Sequence, residues 1–149
     1  MIEIPAWHPL IVHFPLALVL TSAAAFVAAH AWRDERMAAT LATLGTWNLC
    51  LGAVGAVFAF GSGLAATLRL QLTDAARAAL SLHVRWAVAA CFLVLLVAVW
   101  RGAGAPAASR PSRLFLGALL CACLALIATG YRGGLNVYAF GIGVASSAY

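Results

Sequence analysis

The chain has 149 residues, of which 65% are hydrophobic and 9% charged, with a formal net charge of +5. Its aliphatic stretches are too long for the core of a soluble domain of this size, which excludes a water-soluble globular fold and indicates an integral membrane protein. The bilayer is therefore its first partner, and no nucleic-acid partner is expected.

Nothing at the start resembles a cleaved leader. Met1-Ile2-Glu3-Ile4-Pro5 has no basic region, and no small-residue cleavage site follows the first apolar run, so the first helix is expected to remain in the mature protein. Four apolar stretches follow, at roughly 10–32, 38–61, 78–100 and 114–130, each near the ~20 residues a helix needs to cross the hydrocarbon layer. Lipid offers backbone groups no hydrogen-bond partner, so these segments must be helical. The expected fold is an all-α, single-domain, integral membrane four-helix bundle over 1–149.

The first span opens on His8-Pro9-Leu10-Ile11-Val12-His13-Phe14-Pro15. Pro9 suits a first helical turn, whereas Pro15 removes an internal hydrogen bond and is expected to kink the helix near His13. His8 and His13 stand five residues apart, about 140° around a regular helix, and so do not address one centre. His30, about 25 Å further along at 1.5 Å per residue, belongs to the opposite interface and reads as an ordinary interfacial residue.

In the second span Gly45, Gly52, Ala56, Ala59 and Gly63 recur at helical spacings, lining small residues along one face. Such a face admits another backbone or a flat ligand. Gly61-Ser62-Gly63 is a candidate break before Leu70. Thr73 or Asp74 can cap the third helix, Gly102 to Pro111 reads as a flexible connector, and Gly130 is a plausible stop for the fourth helix. The glycine-rich segment beyond it, 131–149, reads as a C-terminal cap on the outer face or a docking segment.

All nine basic residues are arginines. Arg33, Arg36, Arg101, Arg110 and Arg113 fall on one side, and Arg69, Arg77 and Arg132 on the other. The positive-inside rule then places both termini outside the cytoplasm of a bacterial inner membrane. Arg85 lies inside the third span with no acidic partner in the spans, and snorkelling to the outer interface is its expected role. Cys50, Cys91, Cys121 and Cys123 all fall within spans without a C-x-x-C motif and read as small packing residues.

His83 lies a few residues inside the third helix and His13 a few inside the first, at similar depth. Two imidazoles at one level on different helices meet the requirement for bis-histidine haem ligation. Ala76, Ala79, Ala87 and Ala90 share the His83 face and leave it bare enough for a macrocycle. The expected ligands of a haem b iron are thus His13 and His83. His8 is a second-shell partner or the alternative ligand, and Arg69, Arg77 and Arg132 are cations for the propionates.

Three motifs carry a family resemblance: His8-Pro9-x-x-Val12-His13-Phe14-Pro15-x-Ala17-Leu18, Thr129-Gly130-Tyr131-x-Gly133-Gly134, and Val137-Tyr138-x-x-Gly141-x-Gly143-Val144. With the histidine opening helix three, they resemble the bacterial membrane proteins of the domain of unknown function 2231 family over nearly the whole chain. The resemblance implies a compact four-helix membrane protein with its polar motif residues gathered on one side and an association with redox or cytochrome-type modules. Family members commonly carry a histidine before the glycine of the last motif, where this chain has Phe140.

The expected function is a small b-type cytochrome-like electron carrier or subunit, rather than an enzyme in its own right. It would pass electrons between a quinone or membrane dehydrogenase and a partner outside. The alternative is a cofactor-free accessory subunit of a larger respiratory or photosynthetic complex, docking on other membrane subunits. A transporter ranks below both, because the spans lack carboxylates for proton coupling and the chain has only two methionines for copper handling. No serine, histidine and carboxylate set at a common depth points to a hydrolase.

Overall fold

The computed structural model describes residues 7–68 and 70–143. Four helices follow in order: α1 (Trp7–Ala31), α2 (Glu35–Thr67), α3 (Asp74–Gly104) and α4 (Arg113–Phe140). Each is long and apolar enough to cross a membrane. They run up and down in sequence, α1 packing on α2 and α4, and α3 on the same two, so that α1 and α3 stand at opposite corners. The start of α1 and the end of α4 share one end of the bundle, the termini end. The α1–α2 and α3–α4 connections share the other, the loop end.

Side chains fix where the helices begin. The Asp34 carboxylate accepts the Met37 N–H at 2.7 Å, the Thr73 hydroxyl accepts that of Ala76 at 3.3 Å, and Ser112 accepts that of Phe115 at 3.2 Å. Each satisfies a donor that the first helical turn leaves open. Two expected breaks are absent. α2 continues through Gly61-Ser62-Gly63, and α4 passes Gly130 and runs to Phe140. It stops at Gly141, whose φ of +63° is the left-handed conformation that suits glycine. The expected tail is therefore helical over its first ten residues, 131–140, and packing on α3 overrides the low helix propensity of glycine. Its last residues, 144–149, lie outside the described residues.

The small face of α2 forms as expected and sets the tightest pairing in the molecule. Gly45 lies under the Phe26 ring, Gly52 against Val19, Gly55 against Pro15 and Gly63 against His8. Each step along α2 is matched by an equal step back along α1, so the stripe dictates an antiparallel register. The buried Ser22 hydroxyl donates to the Gly45 carbonyl at 2.7 Å, and Asn48 donates to Thr21 at 3.2 Å. α1 runs unbroken through Pro15, a position facing the space that Gly55 leaves.

The core is uneven along the bundle. Its largest fully buried side chains, Val19, Phe26, Leu49, Val94, Val97 and Leu119, belong to the middle and the loop half. Toward the termini end the buried residues are small, among them Ala59, Ala76 and Ala90. Exposed Trp86 and Tyr131 mark the interfacial level there. From Tyr131 to Phe140, α4 extends about 13 Å further at 1.5 Å per residue.

Candidate functional site

Two histidines are turned inward at the termini end, and the backbone and small residues around them account for both. His8, in the first turn of α1, rests on Gly63 of α2. A Cβ on that glycine would lie 2.7 Å from His8 Cε1, so the ring occupies the space a side chain would take. His83, on α3, rests in the same way on Gly133 of α4, where a Cβ would meet its Cε1 at 3.3 Å. The two half-buried imidazoles come from opposite corners of the bundle into electrostatic range of each other.

Their hydrogen bonds define which nitrogen carries the proton. His83 Nδ1 lies 3.1 Å from the Thr129 carbonyl, which only accepts, so Nδ1–H is the donor. His8 Nδ1 lies 3.0 Å from Ser62 Oγ, and that hydroxyl donates its own proton to the Ala59 carbonyl at 2.9 Å. Ser62 therefore accepts from His8 Nδ1–H. In both neutral rings the Nε2 lone pair is left without a hydrogen bond to the described residues. A histidine held by its Nδ1–H with Nε2 free is arranged as metal-ligating histidines are, and the same lone pair can take a proton. No group of three or more His, Cys, Asp or Glu side chains suited to a metal ion is formed among the described residues. A three- or four-ligand centre of the zinc type therefore has no basis there.

The chain matches the family model described as "Predicted membrane protein (DUF2231)" over residues 4–146. It belongs to the DUF2231 family. No curated protein and no solved structure matches it. The membership and the four apolar helices together make this a multi-pass bacterial membrane protein.

The DUF2231 motifs converge at the termini end, but the expected pair His13 and His83 does not. His13 is exposed, with its Nδ1 2.6 Å from the Pro9 carbonyl of its own helix. The five-residue step from His8 carries it to the other side of α1, and His8 takes the inward place. Arg132 is half-buried on α4, in a groove with Asn136 and Phe140. Arg77 is exposed and donates to the Leu72 carbonyl at 3.4 Å. Arg69 lies outside the described residues, as does Val144 of the last motif. Arg85 is exposed, and all four cysteines are unpaired.

The loop end holds a feature that sequence reading missed. Arg101, in the last turn of α3, is only 3% exposed. Its guanidinium donates to Thr46 Oγ1 at 3.0 Å, Ser109 Oγ at 3.2 Å, and the carbonyls of Ala107 and Ser109 at 2.9 and 2.7 Å. It also stacks over the rings of Phe26 and Phe115, 5.0 and 5.7 Å from their centroids. Arg110 closes the same junction, with its Nη1 2.8 Å from the Ala29 carbonyl and its Nη2 2.9 Å from Glu35. His30 donates to the Pro111 carbonyl at 3.1 Å. The α3–α4 connection, expected to be flexible, is tied to three helices at once.

Proposed function

We propose that this membrane bundle is a small b-type cytochrome-like electron carrier, with a haem b held between His8 and His83 at the termini end. The observation that carries the reading is the pair of imidazoles, each fixed by its Nδ1–H and each with Nε2 unengaged. Fixing Nδ1 orients the ring and raises the basicity of the ligating nitrogen. Room for a macrocycle is supported by the small buried residues of this half, Ala59, Ala76 and Ala90, beside the large side chains that fill the other half. Arg77 and Arg132 are the described cations at this end suited to propionate carboxylates.

The haem, when bound, would supply one-electron exchange. The chain's own part is to orient two ligands from opposite corners, to exclude water with apolar walls, and to hold the whole against a rigid loop end. The arginine bias toward the loop end supports placing the termini end outside the cytoplasm, where a soluble redox partner would meet it.

Oxidised and dithionite-reduced absorption spectra of the purified protein, with a pyridine haemochrome assay, test the reading. The expected result is reduced b-type bands at about one haem per chain, as two axial imidazoles on one iron dictate. A colourless protein from a haem-replete host would overturn it and leave the accessory-subunit reading.

A further inference from the structure

Beside His83, the first turns of α3 and the last turns of α4 leave an open groove. Ala75, Ala79 and Leu82 form one wall, and Arg132, Asn136 and Phe140 the other. Ala79 stands one turn from His83 on the same face of α3, and Gly133, which carries the His83 ring, lies between Arg132 and Asn136. Asn136 is the unusual member. It is only 5% exposed, and its side chain makes no hydrogen bond to the described residues, so what access its amide has opens onto this groove. A buried amide left without a partner is costly, and a ligand carrying an oxygen acceptor would remove that cost.

We propose that this groove binds the head of a membrane quinone or its quinol. Arg132 lies near the interfacial level marked by Tyr131, so a head in the groove can leave its tail in the lipid beside Leu82. The amide and the guanidinium offer donors to a ring oxygen, and the amide oxygen can accept from a quinol hydroxyl. A phosphate or carboxylate head does not suit alanine, leucine and phenylalanine walls, whereas a quinone ring presents apolar faces and keeps its acceptors at the edge. This assignment deepens the electron-transfer reading, and rests on it, by naming the lipid-side redox partner.

The test is titration of the full-length protein in phosphatidylcholine nanodiscs with decylubiquinone and with a short-chain menaquinone analogue. Tryptophan fluorescence is followed and haem content is measured in parallel. A saturable quenching component is expected, weakened about tenfold or more by Asn136→Leu, which removes the amide, and by Ala79→Leu, which fills the wall. Quenching that never saturates, or that both variants leave unchanged, overturns the proposal. Displacement of the quinone by oleate at equal or lower concentration also overturns it, in favour of a carboxylate site. A haem-loaded protein without quinone binding would sink this proposal alone, and a colourless protein that binds quinone would sink the haem reading alone.

Discussion

Replacement of Arg101 by methionine is expected to destabilise the bundle by about 3–4 kcal/mol, seen as a large fall in the midpoint of thermal unfolding in detergent. The side chain satisfies two backbone carbonyls and two hydroxyls inside the junction and has no carboxylate partner there. Methionine fills part of the volume between Phe26 and Phe115 but leaves the Ala107 and Ser109 carbonyls without their donor. Unsatisfied buried acceptors cost about 1–3 kcal/mol each, which is why the loss of donors dominates over the modest change in packing. Arg101→Lys should recover only part of the loss, because an ammonium keeps the charge without the planar fork. An unchanged unfolding midpoint in the methionine variant would show that the clamp contributes nothing to stability.

A leucine at Gly52 should separate α1 from α2. Even a Cβ at this position would lie 2.7 Å from Val19 Cγ2 and 3.4 Å from the Val19 backbone nitrogen, so relief requires the helix itself to move. Overpacking of a tight core typically costs about 1–3 kcal/mol, and a displaced backbone brings the upper end of that range or more. Gly61 is the internal control, because a Cβ there meets nothing within 4 Å. Gly61→Ala is expected to be neutral or to stabilise by up to about 1 kcal/mol, as alanine does over glycine in a helix. Equal unfolding midpoints for Gly52→Leu and Gly61→Ala would contradict the close-packed register of α1 on α2.

The helices and the small face of α2 are legible in the sequence because length, hydropathy and small-residue spacing answer directly to the bilayer and to backbone approach. The choice between His8 and His13 is not. α1 is apolar around its whole circumference, so hydropathy does not distinguish its lipid-facing side from its packed side. The stripe on α2 supplies the missing information, since its register leads from Gly45 and Phe26 to Gly63 and His8. The extension of α4 had a readable signal too. Thr129, Gly133, Asn136 and Phe140 recur at helical spacing, and the first two face His83 while the last two line the groove. The glycines in that stretch read as a stop because their role as contact points for a ring depends on a neighbouring helix. Arg101 was hidden for a similar reason. Its acceptors are mainly carbonyls and hydroxyls of a connector whose composition suggests only looseness.

The most direct test of the ligand assignment is haem per chain in His8→Ala, His83→Ala and His13→Ala, purified side by side and quantified by pyridine haemochrome. The expected result is near-complete loss of haem from the His8 and His83 variants, with His13→Ala keeping the wild-type content, because His13 is exposed and turned away from the pair. Haem retained in His8→Ala and lost from His13→Ala would contradict the assignment and place the ligand on the opposite face of α1.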